Sequence, residues 1–286
     1  QDLMELSHLL YPRIETCLLL LLNRLSYPHR LSPEMESLFG MRKSHISDVI
    51  ITFSESFCRV AKPYLTDLHI FKDRIPFYAR LIKDKLGVEE ASVIWGFLDA
   101  TIRPTSRPLY YQQSIYTRYK KCHGIKFQAV QTPDGLIASL SGPYPARSHD
   151  ARIFRDSGLN NALRDAMPAG CGAVYCLYAD SAYALSAWIM HGFINPACNS
   201  VEAVFNQRMS AVRIAVEWSF KNITQLWQFI DFKREMKIFK TPVAQLYINA
   251  AFLSNIHCCY YGNQQQSYFG SDRMTPSEYL GLVDGG

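Results

Sequence analysis

The 286-residue sequence lacks the spacings that mark structural zinc sites. Its eight cysteines include no Cys-x-x-Cys pair, and no paired Cys and His motif accompanies them. A zinc-stabilised fold is therefore not expected. Because the cysteines are scattered along the chain, they suit free thiols in a reducing compartment better than a disulfide framework. We expect most of them to be buried and unreactive.

Long apolar runs are also missing. The apolar segment Cys17–Leu22 has Arg13 and Arg24 close to its two ends. A membrane-spanning helix needs about 20 predominantly apolar residues, so this segment predicts a buried helix, and no membrane partner is expected. No signal peptide is visible, although the chain begins with Gln1.

The sequence contains neither internal repeats nor low-complexity segments. Apolar residues make up 48% of it and charged residues 19%, which is the composition of a folded globular protein and excludes wholesale disorder. The formal charge of +5 is a weak indication of a polyanionic partner. The length fits one large domain or two smaller ones.

Two regions of different pattern divide the chain. Residues 1–90 carry apolar residues at helical spacing, which predicts a helical N-terminal region. Residues 91–286 combine strand-like and helical patterns, which predicts a mixed α/β domain. The strand candidates are Val93–Leu98, Ile125–Val130, Leu136–Ser141 and Ala173–Tyr178. The turn signal Thr132–Gly135 predicts that the middle two form an antiparallel hairpin.

Three helices are predicted in the second region: Ser148–Ala166, Glu202–Asn222 and Pro242–Tyr260. Ser148 is the expected N-cap of the first, with His149 and Asp150 in its first turn. The two first-turn residues are also second-tier candidates for a functional site.

A helix-turn-helix is one interpretation of residues 32–50. Ser32 and Pro33 mark the start of a short helix, and Gly40 separates it from a second one. Arg42 and Lys43 open the second helix, where a DNA-reading helix would place its basic side chains. The alternative is an ordinary helical hairpin with a solvated basic end.

Two aspartates follow apolar strand candidates. Asp99 comes directly after Leu98, and Asp180 comes soon after Tyr178. If the two strands are adjacent, repulsion between the carboxylates favours a divalent cation between them. Mg²⁺ and Mn²⁺ are the expected ions because they prefer oxygen ligands. Taken singly, each aspartate also suits a turn or a cap.

Glu217 is the candidate third carboxylate. It lies beside the apolar stripe of a predicted helix, formed by Val212, Val216 and Phe220. This position is near the edge of the core, where a helix can add a ligand to those of the strands. Arg213 and Lys221 are each four positions away, so a surface salt bridge is the alternative role.

The stretch between Asp99 and Asp134 contains no acidic residue and is rich in cations and tyrosines. Cations neutralise phosphates and tyrosines stack along a nucleic-acid strand, so the stretch predicts DNA binding. A solvated basic loop is the alternative. The candidate DNA-binding residues are Arg103, Arg107, Arg118, Lys120, Lys121 and Lys126.

Several motifs occur in an order that resembles one known family. GFLDATIRP at residues 96–104 resembles the motif GFIDGTxRP, ADSAY at 179–183 resembles GDxAY, and VRIAVEWSF at 212–220 resembles VRxxVEWxF. KFQ at 126–128, TPDGLIA at 132–138 and RSHDA at 147–151 agree as well. The family is that of the PIF/Harbinger-type DDE endonucleases, and the resemblance covers about residues 91–279.

The resemblance implies an RNase H-like fold, with a mixed sheet flanked by helices, and a DDE triad. Asp99 and Asp180 match the family's two aspartates, and Glu217 matches its glutamate. The implied chemistry is two-metal cleavage of DNA phosphodiester bonds with Mg²⁺ or Mn²⁺. Ala100 and Ala179 stand where family members often carry glycine, which is a departure beside two of the three ligands.

DNA is the partner that the resemblance implies, together with a separate Myb-like DNA-binding protein and a nuclear location, the cytoplasm being the alternative. Oligomerisation is compatible with this interpretation. A domesticated, non-cutting DNA-binding or scaffold protein is the first alternative function, since such a protein keeps the fold without the reaction. The second is a small-molecule metal phosphohydrolase, which would not need the long basic segment.

Overall fold

The computed structural model describes residues 12–29, 31, 33–167 and 175–282, excluding the side chains of residues 215 and 216. The predicted cap Ser32 and the start of the strand candidate at Ala173 lie outside the described residues.

The α-helices are α1 (Ile14–Ser26), α2 (Pro33–Phe39), α3 (Lys43–Ala61), α4 (Ile75–Leu86), α5 (Gln112–Ile115), α6 (Asp150–Asp156), α7 (Leu159–Ala166), α8 (Val201–Leu226), α9 (Val243–Tyr261), α10 (Gln264–Phe269) and α11 (Pro276–Leu280). The strands are β1 (Ile94–Pro104), β2 (Tyr116–Thr117), β3 (Cys122–Gln131), β4 (Ile137–Pro145), β5 (Cys176–Ala179) and β6 (Ile189–Met190). Short 3-10 helices cover Pro63–Leu65, Leu68–Arg74, Glu89–Val93 and Gln228–Asp231.

The strands form a mixed sheet in the order β4–β3–β1–β5–β6, and β2 pairs with the first residues of β3. β1 and β4 run antiparallel to β3, whereas β5 runs parallel to β1 and β6 runs parallel to β5. Helices α4 and α8 contact β1, and α9 contacts β4. This is the RNase H-like α/β architecture expected from the sequence, preceded by helices.

The β3–β4 hairpin and its turn are confirmed. The N–H of Gly135 donates to the carbonyl of Thr132 at 2.9 Å, and Gly135 has a φ of 82°. A Cβ at Gly135 would overlap the side-chain amide of Asn263. Both the backbone conformation and the close approach of Asn263 therefore require glycine here.

The strand that carries Asp99 is longer than predicted. β1 does not end at Leu98 but continues to Pro104, because residues 99–104 pair with residues 124–129 of β3. Its first five residues are buried, whereas half-buried positions dominate after Leu98. A continuous apolar run marks only the part of a strand that is covered on both faces. Asp99 is therefore in the middle of β1 and not at its end.

The predicted helix Ser148–Ala166 is wrong as a single element. The structure has two helices, α6 and α7, and the N-cap position of α6 is His149 rather than Ser148. Gly158, with a φ of 74°, lies between them in the left-handed region that ends a helix. The other two predicted helices are confirmed as α8 and α9.

The N-terminal helices share a hydrophobic core with the sheet. Buried residues of α1 and α3 belong to the same cluster as Trp95 and Phe127 of the strands. Asn249 of α9 donates to the carbonyl of Ser54 in α3 at 2.9 Å. Helices α2 and α3 flank Gly40 as expected, and α3 packs against α1 and α9. The domain boundary at residue 90 and the DNA-reading role of α3 stay predictions.

The cysteines that the structure describes are all free thiols, and five of them are buried. Burial raises the pKa of Cys176 to about 11 and that of Cys259 to about 12, so neither thiol forms the reactive thiolate readily. Within the described residues, no helix is both long enough and apolar enough to cross a membrane.

Candidate active site

Asp99 and Asp180 lie side by side on neighbouring strands. Leu98 of β1 is in parallel register with Ala179 of β5, and each aspartate is the next residue along the chain. The two carboxylates, which are 81 positions apart in sequence, are thus brought together by one strand pairing. This arrangement meets the expectation that the two strands are adjacent.

Helix α8 covers the face of the sheet on which the two aspartates lie. One hydrophobic cluster joins the strands to this helix through Phe97, Tyr178, Phe205, Met209 and Val212. Side chains two positions apart on a strand point to the same face. Asp99 and Asp180, each two residues after an aromatic of this cluster, therefore face α8 as well.

Arg213 of α8 is the cation that both aspartates share. Its Nη2 lies 3.7 Å from Oδ1 of Asp99 and 3.4 Å from Oδ2 of Asp180. The three side chains remain between 26% and 42% exposed, so solvent screens these ion pairs. One guanidinium thus partly offsets the repulsion between two carboxylates.

The charge of Asp99 is poorly compensated. Burial raises the pKa of this carboxyl, and the negative charges of Asp180 and Asp150 raise it further. The N–H of Ala100 and the Arg213 guanidinium lower the pKa but do not cancel the increase. An additional cation beside Asp99 would therefore be favourable.

The turn after β5 fixes Asp180. Its Oδ1 accepts a hydrogen bond from the N–H of Ala182 at 2.6 Å, and its carbonyl accepts one from the N–H of Tyr183 at 3.0 Å. Oδ2 faces Arg213. The backbone of the turn therefore holds one carboxylate oxygen and leaves the other for a cation.

Tyr183 places a buried hydroxyl beside the acids. Its side chain is 2% exposed, and the hydroxyl has no hydrogen-bond partner among the described residues. Burial raises the pKa of this phenol well above its ordinary value, and the charges of Asp150, Asp99 and Asp180 raise it further. The hydroxyl is thus neutral and retains a proton that it can donate.

Glu217 is not joined to the two aspartates. It is exposed on α8, four residues after Arg213, which corresponds to about 6 Å along a helix axis. Its carboxylate makes no hydrogen bond or ion pair within the part of the chain that the structure describes. The alternative of a salt bridge to Arg213 is not observed either, because Arg213 pairs with the aspartates.

The aspartate pair has the chemistry that a hard divalent cation needs. Asp99 and Asp180 offer carboxylate oxygens that face one shared position, and their mutual repulsion favours added positive charge. Among the described residues, no three His, Cys, Asp or Glu side chains are grouped closely enough to hold a metal ion. The two aspartates are therefore brought together, whereas Glu217 makes no contact with them among the described residues, and its role as the third ligand stays a prediction.

Asp150 lies near the pair as the first residue of α6. Its Oδ1 is 2.9 Å from Nζ of Lys126, which also donates to the carbonyl of Ser148. In the described part of the chain, His149 occupies the N-cap position without making a side-chain capping bond. Asp150 therefore serves as an ion-pair partner close to the acids, and His149 leaves its side chain exposed.

A groove of about 1190 Å³ lies next to the aspartate pair, with Asp150 and Ala182 among its lining residues. Its lining residues come mainly from two segments, one formed by α5 and the start of the β2–β3 turn and the other by residues 146–151. The predicted DNA-binding cations that line it are Arg107, Arg118 and Lys126. Arg147, His123 and His149 line it too, and we call this surface the basic groove.

Arg103 is placed differently from these cations. Its side chain is 13% exposed, donates to the Thr101 hydroxyl at 2.6 Å and lies over the ring of Tyr247. Asp231 is 3.8 Å away. These contacts fix Arg103 between β1 and α9, and it is not among the described residues that line the basic groove.

The remaining predicted cations lie on exposed turns and helix ends. Lys120 and Lys121 are exposed on the turn between β2 and β3, outside the basic groove as described. Arg42 and Lys43 are exposed at the start of α3. Their role in DNA binding stays a prediction.

Sequence reasoning missed three residues of this site: Arg213, Tyr183 and Arg147. The sequence predicts Arg213 only as a helix partner of Glu217, because a spacing of four favours such a pair. Tyr183 and Arg147 belong to the motifs ADSAY and RSHDA. Their positions in these motifs were the one signal that the sequence offered for a role in the site. Their contacts with distant segments could not be read from the sequence.

A family model described as DDE superfamily endonuclease matches residues 98–255, which is more than half of the chain. The matched segment contains Asp99, Asp180 and Glu217 and ends within α9. The comparisons with curated proteins and with solved structures gave no match.

Proposed function

This chain belongs to the DDE superfamily endonuclease family, and we propose that it cleaves DNA phosphodiester bonds with Asp99 and Asp180 as its central acids. One observation carries the proposal. Asp99 and Asp180 follow two residues in parallel register on neighbouring strands, Leu98 and Ala179, so their carboxylates lie side by side. A fold that holds two carboxylates together in this way supports a site for cations and phosphates.

We propose Asp99, Asp180 and Glu217 as the ligands of Mg²⁺ or Mn²⁺. Held there, such ions would supply Lewis-acid activation of a water or a 3′-hydroxyl and stabilisation of the leaving oxygen. Asp99 contributes a carboxylate whose burial makes a counter-ion favourable, and Asp180 contributes one oriented by the N–H of Ala182. Glu217 makes no hydrogen bond or ion pair among the described residues, and it lies on α8, the helix that also carries Arg213.

Three other residues of the site neutralise charge or donate a hydrogen bond. Arg213 limits the repulsion between the two aspartates, and its exposed fraction of 36% leaves it able to meet a phosphate. Lys126 holds Asp150 through an ion pair of 2.9 Å. Tyr183 offers a neutral donor beside the acids, where a water or phosphate oxygen would accept its hydrogen bond.

A finer assignment also follows from the motifs. We propose that the chain is of the PIF/Harbinger type, since GFLDATIRP, ADSAY and VRIAVEWSF resemble that group in order. By the same resemblance we propose DNA as substrate, a nuclear location and a Myb-like DNA-binding partner. Co-purification of such a partner, and localisation of a tagged full-length chain, would test the two latter points.

Plasmid nicking tests the proposed reaction. We expect the protein to nick or cut supercoiled plasmid with Mg²⁺ or Mn²⁺ and not with EDTA. Asp180→Asn keeps the shape of the side chain and its acceptor for Ala182 but removes a charge that hard cations need. We expect at least about a 100-fold loss of cutting, since a metal contributes several kcal/mol to the transition state. Equal cutting by both proteins would move the chemistry away from this site.

A non-cutting DNA-binding protein is the second candidate function. The observation that favours it is the placement of Arg213, which already serves as counter-ion to both aspartates while Glu217 is apart from them. On this proposal the protein binds DNA but leaves plasmid intact with every divalent ion. Calorimetric titration with Mn²⁺ separates the two functions. If the protein is a non-cutting scaffold, the unaltered protein and the Asp180→Asn variant should give the same heat of Mn²⁺ binding.

A further inference from the structure

The basic groove brings together cations from two sides with little opposing charge. Arg118 comes from the β2–β3 turn and Arg147 from the segment before α6. Asp150 is the one acid among the described lining residues, and Lys126 already pairs with it at 2.9 Å. Arg118 and Arg147 make no ion pair in the described part of the chain. Two such arginines from separate segments of one groove can contact phosphates of the same backbone.

Exposed aromatic rings accompany these cations. Tyr119 is 85% exposed, and Nζ of Lys120 lies 5.2 Å from its ring. Tyr116 is 37% exposed and packs against His123, with 5.1 Å between the ring centroids. A large ring beside a phosphate-binding track is the arrangement on which a nucleic-acid base stacks.

Stacking on these rings requires unpaired bases. In a duplex, each base face is covered by the neighbouring base pairs, so a ring that approaches from outside meets sugar and phosphate instead. An unpaired strand leaves its base faces available to aromatic side chains. The groove volume of about 1190 Å³ is slightly above the range of about 300–1,000 Å³ for small-molecule pockets, which suits a few nucleotides of one strand.

We propose that the basic groove binds an unpaired DNA strand, with bases stacked on Tyr119 and Tyr116 and phosphates held by Arg118 and Arg147. The groove adjoins the aspartate pair at Asp150, so a strand bound there leads toward the acids. For the reaction itself, this inference rests on the proposed function. It adds that the DNA bound in the groove is single-stranded.

Fluorescence anisotropy with the full chain in EDTA tests the proposal, because no cutting is expected without metal. The probes are a short labelled oligothymidylate and a duplex of the same length. We expect tighter binding of the single strand. Tyr119→Ala should weaken it by about 5- to 150-fold, the range that corresponds to the loss of one stacked base. Tyr119→Phe keeps the ring and should bind as the unaltered protein does.

Salt dependence tests the phosphate contacts separately. We expect Arg118→Gln and Arg147→Gln each to reduce the slope of log K against log salt by about 0.7 for the single strand. Arg164→Gln is the matched control, since Arg164 is exposed on α7, pairs with Asp165 at 3.0 Å and does not line the groove as described. Its slope should equal that of the unaltered protein.

Two results would overturn the proposal: duplex binding at least as tight as single-strand binding, or a Tyr119→Ala variant with unchanged single-strand affinity. Tyr119 is exposed, so its substitution does not disturb the core, and circular dichroism confirms the fold. Plasmid cutting without ring-dependent binding would contradict this inference alone. Ring-dependent binding without cutting would support the inference and contradict the proposed function.

Discussion

Two acidic sites of this fold, Asp134 and the pair Asp99 and Asp180, differ in how much their charge is compensated by neighbouring groups. Asp134, in the β3–β4 turn, is 2% exposed and accepts hydrogen bonds from the hydroxyls of Tyr78 and Thr132 at 2.5 Å each. Arg74 lies 3.5 Å from the same carboxylate. A buried charge costs several kcal/mol unless it is paired and hydrogen-bonded, and Asp134 has both kinds of partner, although burial still raises its pKa.

The pair Asp99 and Asp180 receives much less compensation. The two carboxylates share one guanidinium at longer distances and remain partly exposed. The nearby hydroxyl of Tyr183 donates to no described residue. Asp134 and its three partners therefore stabilise the fold, because they tie α4 and the preceding 3-10 helix to the hairpin. The Asp99 group keeps capacity for a ligand, as functional sites commonly do.

The largest effect is expected at Asp134. Asp134→Ala leaves Tyr78, Thr132 and Arg74 without their shared acceptor in a buried site. We expect the free energy of unfolding to fall by about 3–5 kcal/mol, measured by urea denaturation. Asp134→Asn is the control, since it keeps the shape and one acceptor, and it should lose less. An Ala variant as stable as the unaltered protein would contradict the comparison.

Two buried tyrosines provide a matched pair for the next effect. Tyr78→Phe removes a donor to a buried carboxylate and should cost about 1.5–3 kcal/mol of unfolding free energy. Tyr183→Phe removes a hydroxyl that has no partner in the described part of the chain, so its cost should stay below about 0.5 kcal/mol. Equal losses in urea denaturation would mean that Tyr183 is a structural residue like Tyr78.

The free energy of unfolding should depend on pH through the carboxyl group of Asp134. Burial raises the pKa of its carboxyl above the ordinary value of 3.8, although its hydrogen-bond donors oppose this. The folded state then binds the proton more tightly than the unfolded state does. The contribution of Asp134 should therefore decrease as pH rises from 3.8 to the raised pKa and stay level above it. Asp134→Asn should remove this decrease from the denaturation midpoints.

Only a small change in stability is expected at Asp180. Its side chain is 42% exposed, and asparagine can still accept from Ala182. Asp180→Asn should alter the unfolding free energy by less than about 1 kcal/mol, as is usual for exposed ion pairs. Thermal melts of the two proteins check this. A large loss of stability would place Asp180 with Asp134 as a structural acid and remove the contrast between the two groups.

The sequence predicted the elements of the fold better than their ends and contacts. Apolar runs and the Thr132–Gly135 turn identified the hairpin because both signals are local. The continuation of β1 beyond Leu98 went unpredicted because pairing with β3, not an apolar run, forms it. The break at Gly158 was missed because one glycine within a helical pattern does not always end a helix.

For the candidate site, the sequence by itself determined which acids stand beside strand cores, Asp99 and Asp180, and the motif order that marks the family. Tertiary structure alone decided that Arg213 joins them across separations of 114 and 33 positions and that Glu217 does not. The tertiary structure also brought Arg147 into the lining of the basic groove. It buried the side chain of Asp134, for which the sequence predicted only a position in a turn. The physical reason is that period and propensity act over a few neighbouring residues. Charge pairing and burial depend instead on which distant segments the packed core brings together.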